Sequence, residues 1–292
     1  MAKPDWLKVR IPSGERYQQL KTVSRQLGLA TVCEEARCPN IGECWGGGTA
    51  TFMLMGDTCT RGCRFCAVKT GNPQGWLDPE EPAHIARTVT QAGWEYVVLT
   101  SVDRDDLPDG GADHFAQTVE QLRAADPNVL VEVLIPDFQG QEAPLRRLIE
   151  SRPHVIAQNI ETVQRLTYPV RDRRAGYQQT LTLLANVKAW APEIFTKSSI
   201  MLGLGETDEE VRECMADLRA HGVQILTLGQ YLQPTPKHLP VERFITPEAF
   251  QNWQQVAEHE YGFLYCASGP LVRSSYKAGE FFVKRLIQQK SA

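Results

Sequence analysis

The sequence predicts an α/β fold, a partial (β/α)6 TIM-like barrel with an N-terminal extension and a C-terminal arm. Three observations predict it. From about residue 50 onward, short β-rich runs alternate six times with helix-patterned segments, the signature of a parallel α/β architecture. Cap and stop residues fall at the junctions in the matching phase. A cysteine-bearing loop follows the first strand run, at the end of a barrel where sites are built.

The strand runs are 51–56 (TFMLMG), 96–101 (YVVLTS), 130–135 (LVEVLI), 155–160 (VIAQNI), 199–204 (SIMLGL) and 225–231 (ILTLGQY). Helical stretches are expected near 82–92, 112–125, 143–151, 177–190, 208–221 and 247–261. Thr207-x-x-Glu210 reads as a capping box ahead of Val211, Cys214, Met215 and Leu218, whose spacing of three and four makes one apolar face. Gly222 then stops that helix, and Gly93 and Gly262 stop two others. Thr246-Pro247 supplies an N-cap followed by proline in the first helical position. Six units rather than eight leave the barrel open, with all strand ends at one mouth. Residues 1–49 form the extension, 50–262 the barrel and 263–292 the arm.

At 292 residues and 42% hydrophobic, the chain can bury a large core. A net charge of −4 gives no basic field for nucleic acid. No run of 18 apolar residues, no lipidation signal and no apolar segment in MAKPDWLKVRIPSGERY point to a membrane or to export. The expectation is a cytoplasmic, monomeric protein whose thiols stay reduced.

Six of the eight cysteines lie between residues 33 and 66, in two different triads. Cys33-x4-Cys38-x5-Cys44 sits in the extension, and Cys59-x3-Cys63-x2-Cys66 follows the first strand. A [4Fe–4S] cubane takes four ligands, so each triad reads as a cluster with one iron left for something else. Structural zinc wants four closed ligands, commonly paired C-x2-C or a terminal C-x3-H, and no histidine lies between Cys33 and Cys66. A disulfide framework would need an oxidising compartment.

The CTRGCRFC loop, with Phe65 just before its last cysteine and a strand before its first, resembles the radical S-adenosylmethionine (SAM) superfamily. That resemblance implies a [4Fe–4S] cluster on Cys59, Cys63 and Cys66 whose open iron chelates SAM. It also implies cleavage of SAM to a 5′-deoxyadenosyl radical that takes hydrogen from an unactivated carbon. Thr100 and Ser101 occupy the place of the short polar stretch near the SAM amino group, and Asn159 and Glu161 that of ribose contacts. Gly203, Gly205 and Glu206 would approach the adenine or methionine moiety. Each has an ordinary structural reading beside it, as a strand-to-helix turn or a polar strand end.

The upstream triad narrows the resemblance. VCEEARCPNIGECW, TSVDRDDLPDGGADHF at 100–115, LGLGET, LTLGQYLQP at 226–234 and RSSY at 273–276 resemble lipoyl synthases from about residue 5 to 280. That family implies sulfur insertion at C6 and C8 of an octanoyl chain borne on a lysine of a lipoyl-carrier protein. Two SAM are used, and an auxiliary [4Fe–4S] cluster on Cys33, Cys38 and Cys44 is the sulfur source. Its fourth ligand is a serine of RSSY, placed on Ser275 with Ser274 as the alternative. An alkoxide is a weaker partner for iron than thiolate, which suits a corner that must be released. From the residues alone, Ser275 reads equally as a turn hydroxyl. Partners implied are octanoylated carrier domains and an electron donor such as flavodoxin or ferredoxin, with neither nucleic acid nor membrane.

Three further features carry only local readings. Cys214 lies on an apolar helix face, as a small hydrophobe, and Cys266 has no partner at motif spacing. Asp103, Arg104, Asp105 and Asp106 read from the residues as a solvated loop, and the resemblance adds a role in closing the mouth. Arg171, Arg173 and Arg174 make a basic patch, read either as a solvated helix face or as a dock for an acidic carrier domain. A radical SAM protein whose second cluster only relays electrons or binds substrate, and a non-catalytic iron–sulfur carrier or metal-bound scaffold, are the competing functions.

Overall fold

The structure is a computed structural model that describes residues 3–7, 30–31 and 51–275. The triad of Cys33, Cys38 and Cys44 therefore lies outside the described residues. The chain divides into two compact units, one containing residues 51–61 and 68–156 and the other 62–67 and 157–275.

The first unit is built on β1 (Thr51–Leu54), β2 (Tyr96–Ser101) and β3 (Leu130–Leu134), which pair in parallel with Thr51 opposite Val98 and Tyr96 opposite Leu130. Ala30–Thr31 adds a short antiparallel edge to β1. Helices α1 (Glu81–Ala92), α2 (Ala112–Ala125) and α3 (Glu142–Glu150) alternate with the strands. α1 turns Ile85, Ala86 and Val89 inward and ends where Gly93 takes a left-handed φ of 63°. β1 stops at Leu54, short of the expected 56, because Met55 (φ 66°) and Gly56 (φ 85°) leave extended backbone.

One histidine ties the β3 edge to the chain that follows α3. His154 donates its backbone N–H to Val131 O at 2.9 Å, and its ring Nδ1 accepts the Val131 N–H at 3.0 Å. Burial, with Arg123 second, pushes the imidazole down to about 4 from its ordinary 6.5. The unfolded chain thus takes the proton first as pH falls. The stability from this group is complete above pH ~6.5 and is lost as pH falls toward 4. Urea midpoints should decline from pH 7 to pH 4.5, and His154→Asn, whose amide oxygen can occupy the Nδ1 position, should make that decline shallower by on the order of 2 kcal/mol.

The division between the units falls within β4 (Val155–Ala157). The second unit then carries α4 (Tyr177–Trp190), β5 (Phe195–Leu202), α5 (Asp208–Ala220), β6 (Ile225–Gln230) and α6 (Pro247–Gln255). β5 and β6 pair in parallel with Lys197 opposite Ile225. The expected capping box of α5 is present, with Thr207 accepting from Glu210 N–H and Glu210 accepting from Thr207 N–H. Thr246 caps α6 through Ala249 N–H, and a π-turn at Val256–Glu260 replaces the last expected helical turn.

The six βα units place the chain in the partial (β/α)6 class, and a seventh strand extends them. β7 (Tyr265–Gly269) pairs in parallel with β6, Tyr265 opposite Ile225 and Gly269 opposite Gly229. The sequence reading assigned 263–292 wholly to an arm. YCASG has one aromatic and no β-branched residue, so its pairing with β6, rather than its propensity, makes it a strand. β5 also starts four residues before the expected 199, since FTKS looks polar yet is buried on both faces. β4 ends at Ala157, so Asn159 and Glu161 lie beyond the strand rather than in it.

Candidate cluster and cofactor site

In the first unit, the chain leaving β1 is gripped before it reaches the cysteines. Met55 donates its N–H to Glu81 Oε2 at 2.9 Å, and its carbonyl accepts from Arg104 Nη1 at 3.2 Å. Glu81 is itself braced by His114 Nε2 at 2.7 Å. Arg104 is 1% exposed and also holds Trp76 O and both oxygens of Asp106. Arg104 keeps the Asp106 carboxyl below the ordinary carboxylate range.

Cys59 sits in the short strand Thr58–Cys59, which pairs in parallel with Lys69–Thr70. Its Sγ accepts the Arg61 backbone N–H at 3.4 Å and lies 3.8 Å from Asp103 Oδ2. The Arg61 guanidinium, buried at 4% exposure, is clamped by three carboxylates. Asp105 takes Nε at 2.9 Å and Nη2 at 2.8 Å, Asp137 takes Nη1 and Nη2 at 2.7 Å each, and Asp103 lies 3.4 Å from Nη1. Burial alone would lower this group's pKa, and the bonds from Asp105 and Asp137 more than reverse it, leaving the pKa raised. The reading of 103–106 as a solvated loop is therefore corrected: these charges anchor the cysteine loop.

In the second unit, the Asp172 N–H donates to Cys63 Sγ at 3.2 Å, and Asp172 Oδ2 accepts the Gly62 N–H at 2.9 Å. The Arg174 guanidinium, bonded to it, holds the Asp172 carboxyl far below the ordinary range. Cys66 donates its N–H to Cys63 O, and its own carbonyl accepts from His238 Nε2 at 2.9 Å. His238 Nδ1 meets Thr235 Oγ1 at 2.8 Å, and Leu239 N–H bonds Arg64 O. The segment after β6 is thus laced to the loop of Cys63 and Cys66.

The residues fit a cubane. Cys59, Cys63 and Cys66 are cysteines of intermediate exposure, and backbone N–H groups point at the sulfurs of Cys59 and Cys63, a donor set of the kind that holds a cubane. Among the described residues no three acidic, histidine or cysteine side chains close on a single ion. A cubane puts each thiolate on a different iron and does not need such a closure.

The expected SAM contacts fall in two groups. In the first unit, Thr100 donates its hydroxyl to Leu134 O at 2.9 Å, whereas the buried Ser101 Oγ has no partner among the described residues. In the second, Asn159 donates from Nδ2 to Glu161 Oε1 at 3.1 Å, and its own buried Oδ1 has none among them either. Burial raises the Glu161 pKa against the opposing Arg171 and Asn159. Glu161 adopts φ 68° and bridges Ile200 of β5. Orphaned polar atoms at strand ends suit a polar ligand. Phe65 is half-buried.

Glu206 is buried and turned inward, accepting the N–H groups of Gly203 at 2.7 Å and Leu204 at 2.9 Å. Gly203 (φ 99°) and Gly205 (φ 102°) open that turn. A Cβ on Gly203 would collide with Gln230 Nε2 and lie 2.5 Å from Arg243 O. Gly203→Ala is expected to cost about 2–5 kcal/mol, read from the urea midpoint, through left-handed strain plus overpacking.

Ser274 and Ser275 are half-buried and follow Arg273, whose Nη1 donates to Val272 O at 2.7 Å. The basic patch dissolves: Arg171 is 8% exposed and spends Nη1 on Ile160 O and Thr180 Oγ1, while Arg174 pairs with Asp172. Only Arg173 of the three is exposed without such a bond among those described. Sequence reasoning missed Arg61, Asp137 and His238. Position alone could have found Asp137, since it follows the end of β3.

No helix among the described residues is long and apolar enough to cross a membrane. The model of the radical SAM superfamily matches residues 53–218, and that of the N-terminal domain of lipoyl synthase matches residues 1–38. The chain is 58% identical to lipoyl synthase of Halobacterium salinarum, over 98% of this chain and 93% of that one. It is 58% identical to lipoyl synthase of Myxococcus xanthus, over 99% and 96%, and 56% identical to the mitochondrial lipoyl synthase of Drosophila melanogaster, over 98% and 77%. Among solved structures, a maturase of the [FeFe]-hydrogenase superposes with a TM-score of 0.59 at 14% identity, covering 75% of this chain and 51% of that one. Methylornithine synthase gives 0.52 at 16% identity, over 80% and 64%, and these two likenesses speak for the fold alone. With a cysteine loop seated after the first strand, and with similarity over 98% of the chain and a match to the N-terminal domain model, the chain belongs to the lipoyl synthase family of the radical SAM superfamily.

Proposed function

We infer that this chain inserts two sulfur atoms, at C6 and C8, into an octanoyl group carried on a protein lysine, using two SAM and drawing sulfur from an auxiliary [4Fe–4S] cluster. The observation that carries this reading is 58% identity with lipoyl synthases over 98–99% of the chain. Cys59, Cys63 and Cys66 would hold the SAM-binding cluster, and Cys33, Cys38, Cys44 and Ser275 the auxiliary one. When bound, the first cluster and SAM supply the one-electron chemistry that removes hydrogen from an unactivated carbon.

The chain's own residues hold and orient. Backbone N–H groups point at the sulfurs of Cys59 and Cys63, and the Arg61 and His238 contacts hold the chain on either side of them. Ser101 Oγ and Asn159 Oδ1 are buried acceptors with capacity left for a polar ligand, and Glu161 and Phe65 complete the proposed SAM contacts together with Thr100, Gly203 and Gly205. Glu206 serves the same site indirectly, by shaping the Gly203–Gly205 turn. The partners are an octanoylated carrier domain and a flavodoxin- or ferredoxin-like donor, in the cytoplasm.

The test is anaerobic turnover of protein whose cluster sulfide is isotopically labelled, with SAM, a strong reductant and an octanoyl-lysyl peptide. Two labelled sulfurs in the peptide by mass spectrometry are expected. Deoxyadenosine release with an unaltered peptide would overturn sulfur insertion and leave the radical chemistry standing.

A further inference from the structure

Two glycines face each other where β6 and β7 end. Gly229 and Gly269 are register partners, so at this point the paired strands present only backbone. The chain then folds straight back: Val272 donates its N–H to Gly269 O at 3.1 Å, closing a turn over Pro270 and Leu271. That turn lays Val272 across the glycine pair. A Cβ on Gly229 would fall inside van der Waals contact of Val272 O, 3.1 Å from Val272 C and 3.5 Å from Arg273 Nη1. A Cβ on Gly269 would meet Val272 Cγ2 at 3.2 Å. Arg273 locks the crossing, its Nη1 bridging Val272 O at 2.7 Å and Gln230 O at 3.4 Å. Val272 is buried at 8% exposure.

We propose that this glycine saddle is a positioning device for the auxiliary cluster: Gly229, with Arg273, fixes where Ser275 is delivered. The proposal rests on the reading of Ser275 as that cluster's ligand. Ser275 lies only three residues beyond Val272, and a short chain transmits most of a displacement at its anchor. Gly229 has no positive φ, so alanine suits its strand backbone, and what must give is the crossing chain. The clash is with a carbonyl rather than a flexible side chain, which leaves rigid displacement of the 272–275 segment as the relief.

The experiment compares wild type, Gly229→Ala, Arg273→Gln and Ser275→Ala as reconstituted holoproteins. Iron per chain, Mössbauer spectra of isotopically enriched protein, deoxyadenosine release and sulfur insertion are read for each. Gly229→Ala should reproduce the Ser275→Ala spectrum at the oxygen-ligated iron or fall from about eight to about four irons. Sulfur insertion should drop roughly a hundredfold, the scale set by an ångström of misplacement. Deoxyadenosine release should stay near wild type, and the unfolding midpoint should fall only by an overpacking cost of about 1–3 kcal/mol, with the SAM-binding cluster still loaded. Arg273→Gln, which adds no volume, should move the same signature in the same direction.

A wild-type spectrum and iron content in Gly229→Ala would overturn the saddle's role, as would a variant that loses both clusters and unfolds while Arg273→Gln is spectroscopically normal. Wild type that keeps both clusters but inserts no labelled sulfur would sink the proposed function, with the saddle still judged by the iron spectra. Wild type holding only about four irons would overturn both.

Discussion

Cys63→Ala is expected to abolish deoxyadenosine release and sulfur insertion together, whereas Cys38→Ala should abolish sulfur insertion and leave deoxyadenosine release in place. The asymmetry follows from what each triad holds. On the proposed reading Cys63 is one of three ligands of the cluster that meets SAM, and its sulfur is the acceptor of the Asp172 N–H, so its removal would take a ligand and leave that donor without this partner. On the same reading Cys38 belongs to the triad of the extension, which the radical-forming step would not require. Both variants should be loaded with iron anaerobically and assayed by chromatography for deoxyadenosine and by mass spectrometry for the peptide. Loss of deoxyadenosine in both would mean that the two triads do not have separate duties.

Arg61→Ala should lower stability by about 3–5 kcal/mol, the cost of breaking a buried ion pair from one side. Asp137, at 1% side-chain exposure, and Asp105, at 15%, would keep their charges with no guanidinium between them. Arg61→Lys should recover only part of the loss. A single ammonium cannot reproduce the fork that reaches Asp105 through Nε and Nη2 while Asp137 holds Nη1 and Nη2. Thermal midpoints of the three proteins, measured anaerobically with clusters in place, decide it: a shift in Arg61→Ala no larger than a surface substitution, about 0.5 kcal/mol, would show that the clamp contributes nothing net.

The sequence made the regular elements legible where local chemistry and tertiary burial agree. Tyr96–Ser101 is found to the residue because a run of valine, leucine and threonine is both β-prone and buried. The α5 capping box is equally local. What stayed hidden depends on partners distant in the chain. Lys197 looks solvent-bound in sequence but is 2% exposed within β5, and β7 is a strand only because β6 lies beside it. At the site, the spacing of Cys59, Cys63 and Cys66 was legible as a cluster motif, and the radical SAM match over residues 53–218 spans it. Arg61 did not announce its clamp, since its three carboxylates come from positions 103, 105 and 137. Arg171 misled for the opposite reason: three arginines close in sequence suggested a surface, but the first points inward.

Met55 is held at both its N–H and its carbonyl, by Glu81 and Arg104, so the approach to Cys59 is ordered by protein contacts alone. Fixing each residue of such a segment costs about 1–2 kcal/mol of backbone entropy, and here that cost is met when the chain folds rather than when iron arrives. Metal loading therefore does not have to nucleate this stretch, in contrast to small metal-dependent domains that are unfolded until they bind. Chelators should strip iron from this loop and leave its lead-in folded, so that the site can be refilled repeatedly without refolding the protein around it.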